Sequence, residues 1–190
     1  MNVYDFDQTI YHGDSTRDFY FFCLKNYPEI VKYLPIQGWY AIWFSLKIMT
    51  KTKFKEKFYG FLKSIPNIDG EVESFWKLHE CNLKGWYLKQ KKDDDLIISA
   101  SPEFLLTPIC DKLGVKVIAS KVDKFSGKTE GENCWGEEKV RRFYDAGGGK
   151  IDEFYSDSYS DTPLAVLAKK AFLVKGNEIT EFKKNNIFTK

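Results

Sequence analysis

Short apolar runs alternate with helical stretches in the second half of this chain, and that alternation restricts the fold more than any other feature. Four buried strands are predicted at residues 95–100, 115–119, 151–155 and 171–174. Helices are predicted between them at residues 102–113, 137–145 and 162–170. Parallel strands need crossover connections of about a dozen residues, which helices usually supply. The pattern therefore predicts an α/β fold with a Rossmann-like, doubly wound parallel sheet.

The first half of the chain has one predicted strand followed by a long helical region. Residues 2–6 form the apolar run of that strand, and Asp14 is the predicted N-cap of a helix from Ser15 to about Asn26. Aromatic residues at helical spacing then continue to about Lys92. We therefore predict two domains, which are an inserted all-helical cap domain at 12–92 and a core domain made of 1–11 and 93–190.

The composition argues against several classes of function. With 29 Lys and Arg against 27 Asp and Glu, the formal net charge is +2, which gives no basic footprint for nucleic-acid binding. Hydrophobic residues make up 43% of the 190 residues, enough for a packed core. The four cysteines are widely spaced and are predicted to be free. No secretory signal is predicted, so we expect a cytoplasmic protein, and its oligomeric state stays open.

One apolar and aromatic segment, residues 36–49, bears on membrane contact. A transmembrane helix needs about 20 predominantly apolar residues, and Gly38 and Lys47 limit this segment to fewer. We therefore predict no transmembrane segment here, but a buried helix of the helical layer. A peripheral surface that meets lipid or an apolar substrate is the alternative.

Two aspartates follow the first predicted strand. Asp5 and Asp7 are two residues apart, so both carboxylates would point the same way in an extended chain. Like charges this close are unfavourable unless a cation or hydrogen bonds balance them. A carboxylate nucleophile, an acid–base group or a metal site would explain the pair, and a solvated polar turn is the alternative.

Further polar residues stand where other predicted strands end. Ser99 ends the second strand and precedes a helix for which Ser101 is the predicted N-cap. Asp157 and Asp161 follow the fourth strand, and Lys139 begins the helix before it. Ligands of open α/β sheets bind beyond the carboxyl ends of the strands. These groups are therefore predicted to share one site with the first two aspartates.

Four motifs in this order carry a resemblance to a known family. They are residues 5–9 (DFDQT), 97–101 (IISAS), 136–139 (GEEK) and 155–161 (YSDSYSD). They resemble the motifs of the haloacid dehalogenase (HAD) superfamily, and most closely those of its phosphoserine-phosphatase-like branch, subfamily IB. The resemblance covers nearly the whole chain. It implies a Rossmann-like core, a helical cap and Mg²⁺-dependent hydrolysis of phosphomonoesters.

The resemblance also implies a role for each catalytic residue. Asp5 would be the nucleophile that forms an aspartyl-phosphate, and Asp7 would be the general acid and then the general base. Family dehalogenases lack the second aspartate, so Asp7 favours phosphate-ester hydrolysis. Ser99 would bind a phosphoryl oxygen together with backbone N–H groups near Ala100 and Ser101.

A metal site and a neutralising lysine are further implications of the resemblance. Mg²⁺ would lie between Asp5, the backbone carbonyl of Asp7 and Asp157. Asp161 would support this site indirectly or through water, and it is also a candidate helix cap. Lys139 would neutralise charge on Asp5 and on the phosphoryl group.

Contacts to the rest of the substrate are less constrained by the sequence. In phosphoserine phosphatase a carboxylate at the position matching Asp14 binds the substrate amine, but N-capping explains Asp14 equally well. Arg17 would meet an anionic group or face solvent. The cap arginine that holds the serine carboxylate in that enzyme has no clear counterpart, although Lys53 and Lys55 lie near its place.

These features together predict a Mg²⁺-dependent phosphomonoester phosphatase that acts on a small-molecule or lipid-headgroup phosphate. A phosphotransferase that uses the same intermediate is one alternative. A non-catalytic binding protein on the same scaffold is the other.

Overall fold

A six-stranded sheet forms the centre of the protein in the computed structural model, which describes residues 1–183. The strands are β1 (Val3–Tyr4), β2 (Leu96–Pro102), β3 (Lys116–Ser120), β4 (Ile151–Ser156), β5 (Ala168–Lys175) and β6 (Glu178–Glu181). Their order is β3-β2-β1-β4-β5-β6, and every neighbouring pair is parallel except β5 and β6. The predicted α/β fold with a parallel sheet is therefore confirmed.

Helices fill the connections between the strands. The α-helices of the described residues are α1 (Ser15–Asn26), α2 (Leu34–Ser45), α3 (Lys51–Phe58), α4 (Ile68–His79), α5 (Gly85–Gln90), α6 (Glu103–Leu113), α7 (Glu137–Asp145) and α8 (Thr162–Ala165). Short 3-10 turns occur at Pro28–Tyr33, Tyr59–Ser64, Glu80–Asn82 and Tyr159–Asp161. Helices α1 to α5 all lie between β1 and β2, which makes that insertion helical as predicted. The domain boundaries stay a prediction, and residues 184–190 of the predicted core lie outside the described residues.

Two apolar cores cover the two faces of the sheet. Because side chains alternate along a strand, Tyr4 and Ile97 pack on one face with α6 and the helical insertion. Val3 and Ile98 pack on the other face, against residues of α7 and α8 that include Phe143. Helices on both faces define a doubly wound sheet, and the central position of β1 brings its carboxyl end between its two neighbours.

The first strand is shorter than the predicted span of residues 2–6. After Asp5, the chain leaves the sheet in a tight turn in which the Phe6 carbonyl accepts hydrogen bonds from the amides of Ile10 and Tyr11. Gln8 has a φ of 58°, which is uncommon for a residue other than glycine. The turn carries Asp7 away from the strand direction, so the two aspartates do not simply continue one strand.

The last part of the described chain differs from the prediction in two respects. The helix predicted at residues 162–170 ends at Ala165, and the sixth strand, β6, was not predicted. Ala168 and Ala171 pair with β4 and are buried, whereas the lysines between them are exposed. Pairing with a neighbouring strand overrides the helical preference of an Ala- and Lys-rich segment.

The apolar segment at residues 36–49 is exposed, so the prediction of a buried helix is wrong. It forms α2 and the turn after it. Its large apolar side chains are between 37% and 63% exposed, namely Ile36, Trp39, Ile42, Trp43, Phe44, Leu46 and Ile48. No helix among residues 1–183 is both long enough and apolar enough to span a bilayer. The four cysteines are free, as predicted.

Candidate active site

A buried lysine connects two carboxylates at the carboxyl edge of the sheet. The Lys139 Nζ atom donates to Asp5 Oδ1 at 2.8 Å and to Asp161 Oδ2 at 2.7 Å. The Ser156 hydroxyl donates to the same Asp161 oxygen at 2.8 Å. Lys139 and Asp161 are each only 2% exposed. The sequence prediction that these residues meet is correct, and their contact joins β1, α7 and the turn after β4.

The helix that carries Lys139 is fixed to its surroundings by an arginine. The Arg142 guanidinium donates to the backbone carbonyl of Ala119 at 2.7 Å, to that of Glu132 at 2.5 Å and to the Glu138 carboxylate at 2.8 Å. Because Arg presents several donors in a rigid plane, the bonds to the Ala119 and Glu132 carbonyls hold α7 in one orientation, and the bond to Glu138 within α7 orients the guanidinium. They thereby place Lys139 over the end of β1.

Burial and ion pairing act in opposite directions on the central pair. Burial raises the pKa of Asp5 to about 7, although Lys139 acts to lower it. Burial also acts to lower the pKa of Lys139, but attraction to Asp5 and Asp161 outweighs this effect and raises it. The lysine therefore stays charged beside Asp5. A fixed cation at this point can balance a second anion that approaches the Asp5 carboxylate.

Asp7 lies in a separate hydrogen-bond network at the start of α1. Its Oδ1 accepts from the backbone N–H of Ser15 at 2.7 Å, and its Oδ2 accepts from the Ser101 hydroxyl at 2.5 Å. Burial and repulsion from Asp14 raise the pKa of Asp7 to about 6, although its hydrogen bonds act to lower it. A carboxyl group with a pKa near neutrality can both give and take a proton.

The segment around Ser99 differs from its prediction. Strand β2 continues through Pro102, so Ser101 is not the N-cap of α6, and the amides of Ala100 and Ser101 belong to the strand end. The Ser101 amide donates to Ser99 Oγ at 3.1 Å, and the Ala100 carbonyl accepts from the Lys55 ammonium at 2.7 Å. The Ser101 hydroxyl contacts Asp7 instead of capping a helix, and no pattern in the sequence indicates this contact.

One cavity of about 460 Å³ opens onto both networks. The sheet edge supplies one part of its lining, which includes Asp5, Asp7, Ser99, Lys139, Asp157 and Asp161. The helical insertion supplies a second part of the lining, which includes Lys51, Phe54, Lys55 and Phe58. Residues from both the sheet edge and the insertion therefore line the cavity.

Most of the candidate substrate contacts predicted from the sequence line the cavity, but one of them lies outside it. Asp14 and Arg17 line the cavity, but Asp14 also caps α1 by accepting from the Arg17 amide at 2.8 Å. The Arg17 side chain is 60% exposed and pairs with Asp18. Lys55 lines the cavity, whereas Lys53 is exposed and lies outside its lining. Lys51 was not predicted to contact substrate, yet its ammonium lies 4.5 Å from the ring centre of Trp135 in the same cavity.

The acidic groups of this cavity suit a magnesium ion that is completed by water and phosphate. No group of three or more His, Cys, Asp or Glu side chains among residues 1–183 is arranged to hold a metal by itself. Mg²⁺ is usually held through one or two carboxylates, with water and phosphate oxygens as further ligands. Asp5 and Asp157 offer such a pair, and the buried Asp161 Oδ1 has no hydrogen-bond partner. The residues therefore fit the ion that was predicted.

Lys84, which sequence reasoning missed, is buried beneath the turn that carries Asp7. Its Nζ atom donates to the Gln8 carbonyl at 2.5 Å and to the Gly176 carbonyl at 2.6 Å. It thereby joins the helical insertion, the turn after β1 and the turn between β5 and β6. A lone lysine in a sequence usually indicates a solvated side chain, so no pattern pointed to this role.

We expect Lys84→Met to destabilise the fold and to lower kcat. Two backbone carbonyls would lose the charged donor that they share, which costs about 1–3 kcal/mol of unfolding free energy, and the turn that places Asp7 would loosen. Denaturant unfolding and steady-state kinetics measure the two effects. Lys91→Met is the matched control, because Lys91 also donates to a carbonyl, that of Leu113, away from the cavity. If the two variants had the same kcat, the positioning role of Lys84 would be refuted.

The fold and the motifs agree with comparisons to known proteins. A protein of unknown function from Bordetella pertussis Tohama I has a similar structure, with a TM-score of 0.75 and 19% identity over 90% of this chain and 87% of that one. A phosphoserine phosphohydrolase-like protein from Francisella tularensis gives a TM-score of 0.55 and 14% identity over 94% and 90% of the two chains. Apo phosphoserine phosphatase gives 0.56 and 17% identity over 89% and 82%.

A sequence comparison identifies the family. No curated protein matches the chain. The profile of the haloacid dehalogenase-like hydrolases, however, matches residues 3–165, which is most of the chain and contains all four motifs. The chain therefore belongs to the haloacid dehalogenase-like hydrolase family.

Proposed function

We propose that this protein is a phosphomonoester phosphatase that works through an aspartyl-phosphate. The arrangement of Asp5, Lys139 and Asp7 carries the proposal. A buried carboxylate held beside a charged lysine faces the cavity, and a second carboxyl group with a pKa near neutrality lies two residues away. Membership of a hydrolase family and the likeness in fold to phosphoserine phosphatase support it.

The reaction divides into two steps with the proton carried by Asp7. In the first, an Asp5 carboxylate oxygen bonds to phosphorus while the bond from phosphorus to the alcohol oxygen breaks. Protonated Asp7 gives its proton to that alcohol oxygen. In the second, Asp7 takes a proton from water as the water oxygen bonds to phosphorus and the bond to Asp5 breaks. Phosphate leaves, and both aspartates return to their starting states.

Each neighbouring group has a defined part in this scheme. Lys139 holds its charge beside Asp5 and balances the negative charge of the phosphoryl group. The Ser99 hydroxyl lines the same cavity and accepts from the Ser101 amide, so its own proton can be donated to a phosphoryl oxygen. Ser15 and Ser101 hold Asp7 in place through its two oxygens. Ala100 contributes its backbone at the adjoining wall of the cavity.

Mg²⁺ is the expected cofactor, as is general for phosphatases of this family. Asp5, the backbone carbonyl of Asp7 and Asp157 are the proposed ligands, and Asp161 supports the site through its unpartnered oxygen. The ion would supply positive charge to the phosphate oxygens when it is bound.

We propose that the helical insertion acts as a cap over this cavity. Lys51, Phe54, Lys55 and Phe58 bring cationic and aromatic groups of the insertion to the lining of the cavity. Closure of the insertion over substrate would exclude bulk water while the phosphoryl group is transferred. The two lysines favour a substrate with a phosphate or another anionic group within their reach.

Phosphate release from a panel of substrates tests the function. We expect Mg²⁺-dependent release from at least one of phosphoserine, phosphocholine, phosphoethanolamine, sugar phosphates and lysophospholipid phosphates, and EDTA should abolish it. Alcohol-dependent formation of a new phosphate ester would instead identify a phosphotransferase. If no member of a chemically diverse panel turned over although Mg²⁺ bound, the catalytic proposal would fail in favour of a binding protein.

Lys55 gives a pH-dependent prediction about substrate binding. Burial lowers the pKa of Lys55 to about 8, so its ammonium loses its charge as pH rises through that value. We expect KM for a phosphomonoester to rise about tenfold above this pKa. Lys55→Gln should show the high KM at all pH values, and Lys55→Arg should keep the low KM to higher pH. Lys53→Gln, at the exposed neighbour outside the cavity, should leave the profile unchanged. If all three variants showed the wild-type dependence of KM on pH, a role for the Lys55 charge in substrate binding would be excluded.

A further inference from the structure

Helix α2 presents its apolar residues to solvent and attaches to the protein through a polar one. Gln37 is its buried residue, and it accepts a hydrogen bond from the Tyr20 hydroxyl at 2.9 Å and donates to the Phe58 carbonyl at 3.0 Å. A surface helix normally turns its apolar stripe to the core and its polar residues to water. The arrangement in α2 is the reverse of that pattern.

The outward face forms one apolar patch, which we define as Ile36, Trp39, Ile42, Trp43, Leu46 and Ile48. Each of these residues is at least 38% exposed, and Leu46 and Ile48 exceed 60%. Trp39 and Trp43 lie with ring centres 5.9 Å apart, so they make one continuous aromatic surface. Single exposed apolar residues are common, but a contiguous patch of this kind marks a contact surface.

The positive charge around the patch indicates an anionic partner. Between Glu29 and Glu56 the sequence has no acidic residue and five lysines, which are Lys32, Lys47, Lys51, Lys53 and Lys55. Lys32, Lys47 and Lys53 are exposed and flank the patch along the chain. Tryptophan with lysine around an apolar helix face is the composition that binds in the interface of an anionic bilayer.

We propose that this patch docks the protein on an anionic lipid surface, with α2 lying in the plane of the interface. The apolar side chains enter the boundary between headgroups and acyl chains, and the lysines contact the anionic headgroups. The helix that carries the patch adjoins the cavity, because Phe44 of α2 stacks at 4.9 Å on Phe54, which lines that cavity. The attachment is peripheral and does not depend on catalysis.

Vesicle flotation tests the proposal without any substrate. We expect the full chain to float with phosphatidylcholine vesicles that contain phosphatidylglycerol, and to remain in solution with pure phosphatidylcholine. Binding should weaken as salt is added, because salt screens exposed charges. Trp39→Ser/Ile42→Ser should reduce binding by more than about tenfold. Lys47→Gln and Lys53→Gln should each reduce it by about fivefold.

The matched control is Leu78→Ser, because Leu78 is 65% exposed on α4 and lies outside the patch. It should float as the wild type does. Hydrolysis of a soluble phosphomonoester without vesicles should be equal in all these variants, which separates docking from the proposed phosphatase activity. The proposal is overturned if the wild type stays in solution with anionic vesicles at low salt, or if the patch variant floats equally well. A dimer in sedimentation velocity that the patch variant abolishes, without vesicle binding, would assign the patch to a second copy instead.

Discussion

Asp5→Asn is expected to reduce phosphate release by at least about ten-thousandfold. The amide that replaces the carboxylate is a poor nucleophile, so the aspartyl-phosphate cannot form. The fold should persist, because the side chain keeps its shape and Lys139 keeps its contact with Asp161. Steady-state kinetics on the preferred substrate measure the loss, and thermal unfolding shows that the protein is still folded.

Asp145→Asn provides the matched control for this variant. It makes the same change from carboxylate to amide at an exposed residue of α7 that pairs with Arg141. Its activity should equal that of the wild type. Mass spectrometry of the wild type, quenched during turnover, should show one added phosphoryl group that Asp5→Asn lacks. Equal turnover by Asp5→Asn and the wild type would disprove the assignment of the nucleophile.

Lys139→Met is expected to remove both activity and much of the stability. It leaves the carboxylates of Asp5 and Asp161 buried without the cation that lies within 2.8 Å of each. Breaking a buried ion pair by removing one partner costs about 3–5 kcal/mol of unfolding free energy. Denaturant unfolding should show this loss, whereas Lys150→Met, at an exposed lysine, should unfold as the wild type does.

The cause of that loss can be isolated with a second substitution and with pH. The double variant Asp5→Asn/Lys139→Met should be more stable than Lys139→Met, because one of the two carboxylates that lost their cation is replaced by a neutral amide. Burial raises the pKa of Asp5 above its ordinary value of 3.8 to about 7, and loss of Lys139 would raise it further. A carboxyl group whose pKa is higher in the folded state destabilises the fold more as pH rises. The deficit of Lys139→Met should therefore be larger at about pH 8 than at about pH 5. If neither the second substitution nor the change of pH altered the stability deficit of Lys139→Met, the deficit would reflect lost packing instead.

The regular elements of the sheet were predictable because their signals are local. Apolar runs and the caps between them predicted the strands at β2 to β4, and Asp14 is the N-cap of α1 as predicted. The ends of the sheet were less predictable. An Ala- and Lys-rich segment suits a helix, and only pairing with β4 made it part of β5.

The buried side of helix α2 could not be predicted from its sequence either. An apolar helix is usually buried, and nothing in its sequence says which side faces the protein. The buried contact is made by Gln37, because its amide finds partners in the Tyr20 hydroxyl and the Phe58 carbonyl. Those partners come from α1 and from the end of α3, so only their packing decided the orientation of α2.

The amino-acid sequence was enough to predict the sheet class, the helical insertion, the family and the set of charged residues at the strand ends. It could do so because strand periodicity, helix caps and short motifs are properties of neighbouring residues. Three contacts follow only from the folded chain: Ser101 bonds to Asp7, Lys84 supports the turn after β1, and Lys55 rather than Lys53 reaches the cavity. Each of these contacts joins residues 45 or more positions apart or depends on the packing of a whole helix. Local sequence patterns do not specify contacts between residues this far apart. Burial and the loss of water around each polar group determine these contacts, and both occur only when the chain folds.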